Sequence, residues 1–233
     1  MRRGSKDTTE GARVLAAYEA IVGLATSPAG RAGSAPELDF AAETARMRAA
    51  FEKRTGAFGP EDPWFEPRSR AFWDDALTTQ GFAALAGPHA GDDAALVSKT
   101  FARAHRGIFV AAAADDSGAH LVDLWSGAEL LVKNLDEEQT IALEHAEGAF
   151  DARVVAGPPS SEGDVPDLFV LPGALHHSPD ALAPMKEVIA AARERHLAAA
   201  EVLDALLRMD HVFKSSSRVK AGFAYRASSL PRR

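Results

Sequence analysis

Apolar residues recur at two different periods along the chain, and the change of period divides it. Val14, Tyr18, Ile21, Val22 and Ala25 follow the 3.6-residue repeat of a helix with one buried face. The stretch "TSPAGRAGSAP" at 26–36 interrupts that pattern with Gly, Ser and Pro and reads as a linker. A second stripe, Phe40, Thr44, Met47 and Phe51, ends at Gly56, a natural helix stop. Pro60, Pro63 and Pro67 then force a turn before a further helix carrying Phe72, Trp73, Ala76 and Leu77. In "GDDAALVSKTFARAHRG", Asp92 or Asp93 suits the start of another helix, and Arg103, His105 and Arg106 suit its end before Gly107.

Beyond Gly107 the pattern alternates. "GIFVAAAADDSGAHLVDLWSGAELLVK" holds three strand-compatible runs broken by "DDSG" and "SG", and "QTIALEH", "AFDARVVAG" and "DLFVLPG" read as further strands. Ser178 and Pro179 then open a long helical pattern through Met185, Val188, Ile189, Ala192, Val202, Leu203, Leu206 and Leu207. The chain is therefore expected to adopt an α+β fold: N-terminal helices, a small antiparallel β-meander or half-barrel of about five to six strands, and a long C-terminal helix with a basic tail. The expected divisions are a disordered 1–11, a helix and linker at 12–36, and one α+β domain at 37–212. Within that domain 37–106 is helical, 107–173 β and 178–210 helical; a basic arm follows at 213–233.

Composition narrows the chemistry. The 233 residues are 46% apolar and 25% charged, an ordinary globular balance. Without cysteine, disulfides, thiolate nucleophiles and Cys-ligated metal sites are excluded. No apolar run reaches the ~18 residues of a membrane span, and Asp7, Glu10 and Glu19 spoil a signal peptide, so a cytoplasmic location is expected. Charge is unevenly spread. Before Phe213 stand 20 basic and 33 acidic residues, a net −13, whereas 213–233 carries +6 and no acid.

Several clusters invite a catalytic reading, and each has a plainer one. His89, Asp92, Asp93 and His105 suit a metal, but a helix over 92–105 at ~1.5 Å per residue holds its ends roughly 20 Å apart. His176 and His177 sit where a strand gives way to a helix, yet neighbours in extended chain point to opposite sides and cannot share an ion. One of them with Asp167, or His89 with Asp92, defines the alternative reading of an enzyme without a familiar motif, such as a metal-dependent hydrolase. Glu144, His145, Glu147 and Asp151 lack the spacing of a calcium loop and read as a solvated turn. Phosphate-loop, dinucleotide and nucleophile-elbow patterns are absent. No catalytic residue, metal ligand or cofactor is assigned, and a non-catalytic role is favoured.

Binding is the remaining class. Five aromatics, Phe58, Trp64, Phe65, Phe72 and Trp73, crowd around Arg68 and Arg70, a density that builds cores and also lines contact surfaces. Trp64, Arg68, Arg70 and Trp73 are the candidates there, with Asp123 and Trp125 of the "VDLWSG" turn beside them. In the arm, Lys214, Arg218, Lys220, Phe223, Tyr225 and Arg226 mix cations with aromatics, the ingredients for holding nucleic acid. The −13 body opposes that partner. The expected role is binding or assembly, the arm contacting an acidic protein surface or a second copy, with nucleic-acid binding a disfavoured alternative.

Overall fold

A computed structural model describes residues 9–26, 38–115, 117–135, 137–158, 165–216 and 218–232. The expectations for residues 1–8 and for the linker at 27–36 lie outside them. Helix α1 (Thr9–Thr26) begins earlier than expected, taking up residues 9–11, and buries Val14, Tyr18, Ile21 and Ala25. Helix α2 (Phe40–Thr55) starts at Asp39, whose Oδ1 accepts the Ala41 and Ala42 amides at 3.0 Å each. Gly56 closes it at φ 102°, and a Cβ there would stand 2.6 Å from the His211 ring. Helices α3 (Phe65–Leu77), α4 (Phe82–Ala86) and α5 (Asp92–Phe101) complete the helical layer, with Phe51, Phe72, Phe82 and Phe101 at its centre. The cap of α5 is Gly91 rather than Asp92 or Asp93, which occupy its first turn.

His105 and Arg106 do not end that helix; they open strand β1 (His105–Asp115). It is followed by β2 (Gly118–Asp123) and β3 (Glu129–Val132), then β4 (Phe150–Ala156), β5 (Leu168–Val170) and the two-residue β6 (Leu175–His176). The strand order is β3-β2-β1-β4-β5, antiparallel throughout, with β6 beside β4. A register shift between Ala111 and Ala113 bulges β1, which strengthens the local twist. A parallel bridge from Lys133 to Phe169 brings the two ends of the sheet together. The result is an open half-barrel, its concave side filled by Phe109, Leu121, Val132, Phe150 and Val170. This is the α+β class that the two periods imply.

"QTIALEH" is the clear misreading. Helix α6 (Glu137–Glu144) replaces the expected strand and packs on β1. Residues i and i+2 of a strand share a face, but Leu143 is buried and Ile141 is 52% exposed, which a helix permits.

The long C-terminal helix is broken in two, α7 (Leu182–Glu194) and α8 (Ala199–Lys214), after a 3₁₀ turn at Pro179–Ala181. The break lies at His196, in the left-handed region at φ 53°. The His196 amide bonds Arg193 O (2.9 Å) and the Leu197 amide bonds Ala192 O (3.1 Å), which satisfies the last carbonyls of α7. The arm does not trail away. A short helix α9 (Ala221–Ala224) lies on α8 and a 3₁₀ turn at Ala227–Ser229 lies on α7, burying Ala221, Ala224, Tyr225 and Leu230 in one cluster with Val188, Leu203 and Met209.

Candidate functional site

Three polar constructions meet where the helical layer, the sheet and α8 join. The first is a closed ring of alternating charge. Arg153 pairs with Asp75 (2.6 Å), Asp75 with Arg54, Arg54 with Asp204 (3.0 Å), Asp204 with Arg106 (2.6 Å), Arg106 with Asp151 (3.0 Å), and Asp151 returns to Arg153 (3.7 Å). Asp75, Asp151 and Arg153 are fully or almost fully buried, and three cations meet three anions, so the ring carries no net charge. Burial pushes the Asp75 carboxyl up, but Arg153, Arg54 and Arg106 outweigh it and hold it below the usual range. Asp151 is thus a buried ring member, which corrects its reading as part of a solvated turn; Glu144, His145 and Glu147 are exposed.

Asp74, the next residue along α3, lies outside the ring. Its Oδ1 accepts the Tyr18 hydroxyl at 3.0 Å and its Oδ2 the Gly173 amide at 3.0 Å. Gly173 must lack a side chain to come so near, since a Cβ would stand 2.5 Å from Arg70 O and 2.6 Å from Asp74 Cγ. Burial dominates this carboxyl, raising its pKa to about 7 despite Arg153 and the two hydrogen bonds.

The second construction is a buried relay. His177 Nδ1 lies 2.7 Å from Tyr225 Oη, Tyr225 Oη 3.3 Å from Asp210 Oδ1, and Lys214 Nζ 2.9 Å from Asp210 Oδ2. Burial and Asp210 both push the Tyr225 hydroxyl up, while burial pushes the His177 imidazole down, so one stays protonated and the other neutral. Every proton finds an acceptor when His177 Nδ1–H donates to Tyr225 and Tyr225 donates to the Asp210 carboxylate. The side chains of His177 and Asp210 are fully enclosed, so this relay pins the arm to the body and does not face substrate.

The third is a cleft of about 700 Å³ between α3, α6, the β5–β6 segment and the end of α8. Its floor is apolar, with Leu143, Val170 and Leu175, and Arg70, His176 and Lys214 bring polar groups to it. Lys214 also donates to His176 O at 3.0 Å. Burial and the neighbouring Lys214 push the His176 imidazole down, keeping it neutral.

The structure scatters the other sequence candidates. Arg68 is buried and donates to Thr55 O (2.9 Å), Thr55 Oγ1 (3.0 Å) and Gly56 O (3.1 Å), so it holds the end of α2 and offers nothing to a partner. Trp64 is half-buried, edge-on to His211 at 6.1 Å, and Trp73 packs tilted on Phe72 and Phe82; both belong to the helical core. Asp123 is buried in its turn, accepting the Ser126 hydroxyl (2.5 Å), the Trp125 amide (3.0 Å) and His105 Nε2 (3.2 Å). Burial raises that carboxyl, and these bonds outweigh it and lower it. Trp125 is covered by Arg193, 5.6 Å from its ring. Tyr225 is interior. Arg68, Asp123 and Tyr225, buried, are corrected from contact surface to scaffold, whereas Trp125 is half-buried.

Arg70, exposed and bonded to Glu66 at 3.1 Å, and Lys214 converge on the cleft with His176. Arg218, Lys220, Phe223 and Arg226 stay exposed. His176 and His177 do point apart, one into the cleft and one into the relay, where Asp210 rather than Asp167 is the acid beside it. His89 and Asp92 are exposed, His89 edge-on to Phe40, and Asp93 pairs with Arg13 at 3.1 Å. Among the described residues, no three His, Asp or Glu side chains gather as a metal would require. No helix among them is long and apolar enough to cross a membrane.

Sequence reasoning passed over the ring and the relay. Asp74, Asp75, Asp204 and Asp210 had left a signal, since each interrupts or borders an apolar helix stripe that a solvated acid would avoid. Comparison with protein-family models, curated proteins and solved structures returned no match to this chain.

Proposed function

We propose that this chain is a non-catalytic binding and assembly protein whose basic arm recognises the acidic surface of a second copy. The observation that carries the reading is how the arm is held. Tyr225 and Leu230 anchor it by apolar burial, and among its described basic residues Lys214 pairs with an acid on the body, Asp210. Arg218, Lys220, Arg226 and Arg232 are exposed and form no ion pair among the described residues. Phe223 is 63% exposed, and the Arg226 guanidinium lies 4.6 Å over its ring. A fixed ridge of four cations and one aromatic loses little ordering entropy on docking, and the −13 body supplies the complementary charge.

Deleting 213–233 would remove buried Tyr225 and with it the relay, so charge reversal at exposed positions is the cleaner test. Light scattering coupled to size exclusion should show a dimer at low salt that dissociates as salt screens the contact. The combined Arg218→Glu, Lys220→Glu and Arg226→Glu variant should be monomeric throughout. A wild-type monomer at low salt, or a dimer indifferent to the reversals, overturns the proposal.

A further inference from the structure

The cleft is separate from the arm's outer ridge, and its chemistry is specific enough to name a class of ligand. A cavity of about 700 Å³ falls within the range that admits a small organic molecule. Leu143, Val170 and Leu175 present an apolar floor with no polar atoms to satisfy. Among the described lining residues the charged side chains are two cations, Arg70 and Lys214, and one acid, Glu66, which is bonded to Arg70. Lys214 has a donor to spare. An ammonium carries three N–H groups; one donates to His176 O at 3.0 Å, and Asp210 Oδ2 at 2.9 Å is an ion-pair partner that takes no hydrogen bond from it, so donors remain for the cleft that the side chain lines. The hydrogen bond and the ion pair also fix the ammonium in place, so a ligand need not order it. His176, packed at a tilt on Phe150 with ring centroids 5.2 Å apart, is equally held.

We infer that the cleft binds an amphipathic organic anion, an apolar chain or ring bearing a single carboxylate. The carboxylate accepts from Lys214 and meets Arg70, while the apolar body lies on Leu143, Val170 and Leu175. Neither the arm's second-copy contact nor any reaction is needed for this.

Titration calorimetry with decanoate and with decanol separates the two halves of the inference. Decanoate should bind, and decanol about tenfold or more weakly, the scale of one hydrogen bond to a charged group. Lys214→Gln should bring decanoate down to the decanol level and leave decanol unchanged. Ala142→Trp, which places a large side chain on the α6 wall of the cleft, should abolish both. Thermal melts establish that each variant is folded. Should Lys214→Gln unfold because Asp210 loses its partner, Arg70→Gln, on the exposed face of α3, serves in its place and should narrow the preference for decanoate over decanol. Equal affinity for the two ligands, no decanoate binding by the wild type, or a folded charge variant that keeps full selectivity overturns the inference. Repeating the titration with the monomeric arm variant, which should bind normally, separates failure of this site from failure of the arm contact.

Discussion

Asp74→Asn tests whether burial governs that carboxyl. In the folded chain its pKa stands at about 7 against an ordinary 3.8. A group whose folded pKa is raised contributes stability that is complete below the unfolded value and is lost as pH climbs through the folded one. The native state therefore favours the protonated acid, and stability from this residue falls between about pH 4 and pH 7. At 1.36 kcal/mol per unit, a shift of about three units sets a ceiling of about 4 kcal/mol. Asparagine reproduces the neutral acid: its carbonyl oxygen accepts the Gly173 amide and its NH₂ donates to the Tyr18 hydroxyl, replacing both bonds of Asp74. Urea unfolding of both proteins from pH 4.5 to 8.5, followed by tryptophan fluorescence, gives the difference directly. The asparagine protein should be more stable at pH 8 by a few kcal/mol, and the gap should close toward pH 4.5. Taking the difference cancels depressed carboxyls such as Asp75 and Asp123, whose contributions run the other way with pH. A gap independent of pH, or one that opens on the acid side, refutes the assignment.

Arg153→Met removes one cation from the ring and leaves Asp75 and Asp151 with excess charge; unfolding free energy should fall by about 3–5 kcal/mol in denaturant titration. His196→Gly relieves the left-handed backbone between α7 and α8 and should stabilise the protein by about 1 kcal/mol, read as a rise in thermal midpoint.

What the sequence disclosed was local. A stripe such as Val14, Tyr18 and Ile21 commits a helix and its buried face together, and the alternation after Gly107 commits strands whose turns follow at short range. "QTIALEH" failed because a short apolar run fits either period until its packing is known. The break at His196 left no trace either, for nothing in "RERHLA" is a helix breaker. The ring was illegible for another reason: Arg54 meets Asp204 across 150 residues and Arg153 meets Asp75 across 78. Such partners share no spacing rule. The arm was half legible, since its charge announced a contact but not that Tyr225 would turn inward while Phe223 turned out.

The ring of six charges also acts as a check on completeness. Its members arrive on α2, α3, β1, β4 and α8, and α2, α3, β1 and α8 each bring a single charge, so a collapsed chain in which any one of those four has not docked holds an odd charge in its interior. Apolar surfaces tolerate near-miss pairings, because one leucine substitutes for another; an uncompensated charge does not. Four segments distant in sequence are thereby made to report on one another, and the misassembled states that a mostly aliphatic core would otherwise accept become the costly ones.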